Sequence, residues 1–313
     1  MQKAKPFIKW VGGKTQLLEQ FENYYPHELK NGQIKDYIEP FLGGGSMFFS
    51  IAKKYNIKNA LLTDINRDLI LSYKVIQKKT DVLLDFLKNY QDKYNKTKED
   101  RRNELFLSIR KHFNEQRFEV NYKKFSENWI PRASQFIFLN KTCFNGLFRL
   151  NSKGEFNVPF GKYKTASICD ENNILAVSNA LQIAEIIYAE YFYCYNKVNA
   201  ASFVYFDPPY RPITQTSSFT TYTGTEFSDK QQIELAKYFQ KLDQEKGAFL
   251  MLSNSDPTNI NPKDDFFKKA YYGYNIFKVT ANRFVNCNGS KRGKINELLI
   301  TNYSYGCKNS KKY

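Results

Sequence analysis

Residues 37–64 carry the pattern that most constrains how this chain can fold. Tyr37 to Phe41 reads as a short apolar strand, and Gly43-Gly44-Gly45-Ser46 follows it as a tight turn. Met47, Phe48, Ile51, Ala52 and Tyr55 then recur at helical spacing. Ala60-Leu61-Leu62-Thr63 reads as a second strand that ends at Asp64. Strand, Gly-rich turn, helix, strand, acid is one half of a nucleotide-type α/β sheet. Another helix is predicted from about Asn66, with Leu69, Ile70, Tyr73 and Ile76 on one face, and Leu17, Leu18, Phe21 and Tyr25 show the same period upstream.

Strand signals return at Phe203 to Phe206, Ala248 to Leu252, Tyr274 to Thr280 and Ile295 to Thr301. The last two fit a closing antiparallel pair around the polar loop 288–294. Between Ser46 and Asp207 lie far more residues than successive βαβ units of roughly thirty residues require. The surplus fits a charged, mostly helical module with a basic Gly- and Asn-rich tail. The expected organisation is therefore a sheet domain formed by residues 1–79 and 166–313, with residues 80–165 inserted as a recognition module.

The formal charge of +16 on 313 residues favours a polyanionic partner, although a lysine-rich proteome would give the same balance. Five cysteines, at 143, 169, 194, 287 and 307, form no Cys-x-x-Cys pair, which argues against a zinc site and for a reducing compartment. His27 and His112 have no partner at metal-ligand spacing, so no metal is expected. No apolar run has the length of a signal peptide or a membrane span, and a cytoplasmic protein without a membrane partner is expected.

Asp207-Pro208-Pro209-Tyr210 follows the apolar run ending at Phe206, where open α/β sheets place ligand-handling groups. The exocyclic nitrogen of adenine is a poor nucleophile because its lone pair is delocalised into the ring. Two acceptors on its N–H bonds favour a pyramidal nitrogen and free that pair. The Asp207 carboxylate can supply one acceptor and the Pro208 carbonyl the other, pre-aimed by the prolines. Tyr210 can stack on the ring and hold it in line with a donor methyl. The bland alternative is a β-turn with its aromatic in the core.

Other motifs keep two readings each. The Gly-rich turn is a ligand cradle or a tight connection, and Phe48 replaces the last glycine of a dinucleotide fingerprint. Asp64 accepts ribose hydroxyls or caps the next helix. In Lys9-Trp10-Val11-Gly12-Gly13-Lys14, Lys14 could hold a carboxylate beside Trp10, or the stretch is a turn before a helix near Thr15. Residues 140–164 interleave Lys141, Arg149, Lys153, Lys162 and Lys164 with Phe144, Phe148, Phe156, Phe160 and Tyr163. Such a segment can neutralise phosphates, read a guanine edge and wedge into a base stack, or be a solvated hairpin with inward aromatics.

Taken in order, these motifs resemble the DNA adenine methyltransferase (Dam) family, the α-class of S-adenosylmethionine-dependent N6-adenine DNA methyltransferases. The likeness runs through Lys9 to Lys14, Phe41 to Ser46, Thr63 to Asn66, Asn145 to Arg149, Lys153 to Lys164, Asp207 to Tyr210 and Gly289 to Glu297. The resemblance implies an α/β fold: a Rossmann-like seven-stranded methyltransferase sheet with an inserted helical and hairpin target-recognition domain. It implies S-adenosylmethionine as cofactor, giving S-adenosylhomocysteine, with Trp10, Lys14, Phe41, Gly43, Gly45, Asp64, Ile65, Tyr191 and Asp207 around it. Ile65 and Tyr191 would sandwich the cofactor adenine. Asp207, Pro208, Pro209 and Tyr210 would grip a flipped-out adenine.

On duplex DNA, Lys9 matches the residue reading the outer guanine of 5′-GATC-3′, and Leu147, Arg149 and Pro159 match readers of the remainder. Phe144 stands where the family usually has an intercalating tyrosine, and Asn145 and Tyr163 complete the DNA-contacting set. A restriction nuclease acting on the same site is a candidate partner. The rival readings are methylation of another DNA sequence, of RNA or of a protein glutamine, and a catalytically silent DNA-binding homologue. A nicotinamide dehydrogenase fits less well, since the last glycine and a proton-shuttling histidine are missing.

Overall fold

In the computed structural model, residues 3–211, 227–282 and 294–304 are described. Their centre is a seven-stranded sheet in the order β3-β2-β1-β4-β5-β7-β6. The strands are β1 (Asp36–Glu39), β2 (Asn59–Asp64), β3 (Ala184–Tyr188), β4 (Ser202–Phe206), β5 (Phe249–Ser255), β6 (Asn275–Asn282) and β7 (Lys294–Thr301). The first five run parallel, while β7 is antiparallel to both β5 and β6. The direction of winding reverses between β1 and β4, which are neighbours with Tyr37 opposite Phe203. A crevice is expected beyond the carboxyl ends of strands at such a reversal.

The apolar runs have a simple cause. β4 is buried at all five positions. Phe203 and Tyr205 enter one core, and Val204 and Phe206 enter the other. A strand covered on both faces reads as a continuous apolar run. The first core packs beneath α3 (Ser46–Lys54), α4 (Arg67–Lys78) and α8 (Glu171–Ala180), and the second beneath α9 (Asp229–Lys246). α4 begins where Asn66 accepts the Leu69 N–H at 3.0 Å. Ser228 and Gln231 form a capping box on α9.

Six strands match the runs predicted from sequence, and the closing antiparallel pair is present. The loop predicted between its two strands, with Cys287 and the segment 289–293, lies outside the described residues, as does Cys307. β3 is the strand the residue pattern did not reveal. It lies at the sheet edge, where Glu185 and Tyr188 face solvent and dilute the apolar signal.

Residues 80–142 form α5 (Thr80–Lys96), α6 (Arg102–Gln116) and α7 (Trp129–Thr142), as the charged helical pattern predicts. The same apolar core continues from the sheet into these helices through Tyr94, Phe106, Phe113 and Phe136. A buried ion pair ties α7 to α4. Arg132 is 2% exposed, with Nε 2.5 Å from Asp68 Oδ1 and Nη2 2.9 Å from Oδ2. Its Nη1 donates to the Phe113 carbonyl, and the Tyr122 hydroxyl donates to Asp68. Deleting either charge would leave the other buried and unpaired. No helix among the described residues is long and apolar enough to cross a membrane.

Candidate active site

The Gly-rich turn leaves β1 and the Asp-Pro-Pro-Tyr motif leaves β4, so the winding reversal brings the two together at one rim. Gly43 has φ +49°, and a Cβ there would sit 2.8 Å from the Trp10 ring. No larger residue lets the turn approach that ring so closely. Gly45 caps α3, and its N–H closes the turn onto the Leu42 carbonyl at 2.8 Å. Trp10 is half-buried and stacks near Phe148, with ring centroids 6.1 Å apart.

Lys14 lies in the short 3₁₀ turn Lys14–Gln16 and is 3% exposed. Its Nζ is 2.8 Å from Asp207 Oδ1, donates to the Gly12 carbonyl at 2.5 Å, and lies 4.4 Å from the Tyr210 ring centre. A lysine this deeply buried needs its counter-charge. Asp207 also accepts the Ser253 hydroxyl at 3.1 Å. Burial pushes the Asp207 carboxyl above its ordinary range, against the opposing pull of Lys14 and Ser253. Pro208 is buried, and the exposed Pro209 has its carbonyl bonded by Gln232 at 2.9 Å. The Tyr210 hydroxyl donates to Glu297 Oε2 at 2.5 Å. Arg211 then anchors the motif, pairing with Asp229 and with Asp264 at 2.7 Å each.

Asp64, at the end of β2, accepts the Gly43 N–H at 2.9 Å and the Asn66 N–H at 2.8 Å, one on each oxygen. Asn66, not Asp64, caps α4. A carboxylate offers about four acceptor sites, so Asp64 keeps acceptor capacity beyond its backbone bonds. Burial raises its carboxyl pKa, partly offset by the N–H groups of Gly43, Asn66 and Ile65. Ile65 is exposed at 42%. Phe41 and Tyr191 stack on each other at 5.5 Å along the same rim.

The recognition candidates gather in residues 143–164. This segment folds back on itself through two isolated antiparallel bridges, Cys143 with Phe160 and Leu150 with Phe156. Phe148 and Phe156 are buried, whereas Phe144 is 51% exposed. Asn145, Arg149 and Pro159 are exposed, while Leu147 and Tyr163 are half-buried. Arg149 Nε donates to Asn157 Oδ1 at 2.9 Å. Lys9 joins this group from the N-terminus, its Nζ 4.8 Å from the Tyr163 ring centre. Asn140 fixes it there, bonding the Lys9 N–H and carbonyl and the Gly146 carbonyl. Gly146 has φ +64°, and a Cβ there would meet the Lys9 side chain at 2.5 Å. His27 and His112 are both exposed.

Sequence reasoning gave no role to Glu39, Ser253 and Glu297 at the rim, although Glu297 closes the last matching segment, or to Asn140 behind the hairpin. Glu39 is 2% exposed at the end of β1, where it accepts the Tyr37 hydroxyl and the Phe48 N–H. Burial, reinforced by the charges of Asp207 and Asp64, lifts its carboxyl well above the usual range. The available signal was a charged residue inside an apolar strand, since a buried charge has to be explained by its partners.

The arrangement joins a glycine cradle, a buried lysine–carboxylate pair and an exposed basic hairpin. A family model described as D12 class N6 adenine-specific DNA methyltransferase matches residues 10–285. Among the curated relatives, the type II methyltransferase M.MjaIII of Methanocaldococcus jannaschii is 49% identical over 96% of this chain and 99% of its own. The type II methyltransferase M1.LlaDCHI of Lactococcus lactis subsp. cremoris is 35% identical over 96% of this chain and 95% of its own. A DNA adenine methylase of Vibrio cholerae is 33% identical over 96% of both chains. Matched across nearly its whole length, the chain belongs to the D12 class of N6 adenine-specific DNA methyltransferases.

Proposed function

We propose that the enzyme methylates N6 of an adenine flipped out of duplex DNA within 5′-GATC-3′, using S-adenosylmethionine. The observation that carries this reading is the pairing of buried Lys14 with the partly exposed Asp207, 2.8 Å apart beside the Tyr210 ring at the winding reversal. That rim also fits the cofactor, since the Gly43 turn is pressed against Trp10 and Asp64 keeps acceptor capacity towards the crevice. S-adenosylmethionine supplies a methyl carbon already activated by its positive sulfur, so no metal is required.

Trp10, Lys14, Phe41, Gly43, Gly45, Asp64, Ile65 and Tyr191 would hold the cofactor. Asp207 and the Pro208 carbonyl would accept the two hydrogens of the target amine, so that its lone pair leaves the ring. Tyr210 would stack on the extruded base. As the nitrogen's bond to the methyl carbon forms, the carbon–sulfur bond would break with its electron pair left on sulfur, the positive charge would pass to the amine, and the amine would lose one proton to solvent.

In this reading residues 80–165 form the target-recognition insertion and the remainder forms the catalytic domain. Lys9, Leu147, Arg149 and Pro159 would read the site, Phe144 would wedge into the stack, and Asn145 and Tyr163 would line the DNA. Support comes from the exposure of Phe144, Arg149 and Pro159 in a basic segment that also gathers Lys9. The type II names of two relatives favour pairing with a nuclease of the same site.

The test is to incubate plasmid DNA with enzyme and S-adenosylmethionine, then digest it with nucleases of differing methylation sensitivity. The expected result is resistance to a nuclease blocked by N6-methylated GATC and sensitivity to one that requires it. Protection at a different sequence would overturn the site assignment while leaving the chemistry intact.

A further inference from the structure

Glu297 stands on the face of β7 that also carries the fully buried Leu299, an apolar setting where a carboxylate is costly without a partner. It sits opposite Ser255 of β5, so antiparallel β7 delivers it to the rim where the parallel strands end. Its partner is the Tyr210 hydroxyl at 2.5 Å. Burial raises both the Tyr210 phenol and the Glu297 carboxyl, but Lys14 and the Tyr210 hydroxyl pull the carboxyl back down, so the phenol keeps its proton and donates to the carboxylate. Tyr210 is thus fixed at two points. Lys14 lies over one face of the ring, 4.4 Å from its centre, and Glu297 holds the hydroxyl.

We propose that Glu297 is a positioning residue for methyl transfer: through its bond to the Tyr210 hydroxyl it sets the plane of that ring against the target adenine. This rests on the reading of Tyr210 as the stacking residue. Two consequences follow from the contact. A ring free to turn about its χ angles samples poses in which the amine is out of line with the donor methyl, and small misplacements cost rate steeply. A phenol that donates to a carboxylate also feeds electron density into its ring. The ring face then becomes more attractive to the positive charge that builds on the amine during transfer. Both effects act in the transition state, so they bear on kcat and not on binding.

The experiment compares wild type, Glu297→Gln, Tyr210→Phe and the double variant with a duplex oligonucleotide carrying the unmethylated target site. It measures kcat, KM for DNA, affinity for S-adenosylhomocysteine and melting temperature. Glu297→Gln keeps the shape and an acceptor but removes the charge. Its kcat is expected to fall about ten-fold, with KM, product affinity and melting temperature near wild type. The double variant is expected to be no slower than Tyr210→Phe alone, because Glu297 acts through the hydroxyl that variant lacks. Multiplying losses in the double variant, an unchanged kcat in Glu297→Gln, or a loss that tracks melting temperature would each overturn the proposal. A wild-type enzyme that transfers methyl to this duplex while Tyr210→Phe and Glu297→Gln match it would sink the inference and spare the wider reading. An enzyme inert on DNA would sink both.

Discussion

At the rim of the sheet, Lys14, Asp207, Tyr210 and Glu297 project from strand ends or the turns beside them and hold one another by side-chain contacts. In residues 143–164 the arrangement is reversed, with helix side chains holding the backbone. Asn114 of α6 bonds both the N–H and the carbonyl of Phe156, at 2.8 and 3.1 Å. Arg110 donates to the Val158 carbonyl, and Arg102 to that of Lys164. Two isolated bridges replace a strand ladder. The rim thereby holds its side chains in fixed mutual geometry. The hairpin fixes its main chain and leaves Phe144, Arg149 and Pro159 outward, so these side chains can change without disturbing the sheet.

The largest expected effect breaks the rim alone. In the proposed reading Asp207→Ala removes the acceptor for the target amine, and kcat should drop by about 10²–10³-fold, the scale for losing one preorganised electrostatic contact. Selective binding to the DNA site should survive, because the hairpin does not depend on Asp207. Filter binding against matched and altered duplexes checks this. Loss of site selectivity along with turnover would mean that the two regions are not independent.

Arg149→Ala should do the converse. One of the five guanidinium N–H groups is used on Asn157, and the rest can fork onto a base edge. Discrimination at one base pair is expected to weaken by about 1–3 kcal/mol, while kcat on the best remaining site stays close to wild type. Competition between labelled duplexes differing at single positions measures it. Uniform weakening at every position would demote Arg149 to a phosphate contact.

Asn114→Ala tests whether the support of the hairpin matters as much as the proposed readers on it. It deletes two bonds to Phe156, and about 1 kcal/mol per bond is the usual net value. Stability should fall modestly, and discrimination should blur over several base pairs, since the whole register loosens. A profile blurred at a single position would contradict this account.

The same contrast governs what was legible in the sequence. The rim motifs could be read because their parts are contiguous: Gly43 to Ser46, and Asp207 to Tyr210. β1, β2, β4 and β5 could be read because burial on two faces makes apolar runs, whereas edge strand β3 could not. Glu297 was hidden because its meaning lies in Tyr210, 87 residues away in the chain. Asn140 was hidden likewise, its partner Lys9 being 131 residues distant. A lone polar residue carries no local signal of what it will meet. The helices of residues 80–142 were legible from charge and period, but their continuity with the sheet core rests on buried aromatics and on Arg132 meeting Asp68, which no local pattern foretells.

The smallest expected effect concerns what the rim costs the fold. Glu39 lies beneath the Gly-rich turn with a carboxyl held well above its ordinary range, first by burial and then by the charges of Asp207 and Asp64. Its folded-state pKa is raised, so the folded state binds the proton more tightly than the unfolded chain does. Its contribution to stability is therefore fully present below the unfolded value and is lost as pH rises through the folded one. Glu39→Gln keeps an acceptor for the Tyr37 hydroxyl and the Phe48 N–H but cannot ionise. At neutral pH this variant should melt above wild type, and the gap should close as pH falls towards the usual carboxylate range. Melting curves across that range decide it. A gap of constant size would point to altered packing, and a variant less stable at neutral pH would show that the charge is repaid by neighbours such as Lys14. The half-buried Glu155 of the hairpin is of the opposite kind: Asn151 and then Arg117 hold its carboxyl below the ordinary range, so its contribution to stability is present above the unfolded value and is lost as pH falls through the folded one, and Glu155→Gln should weaken the loss of stability on the acid side.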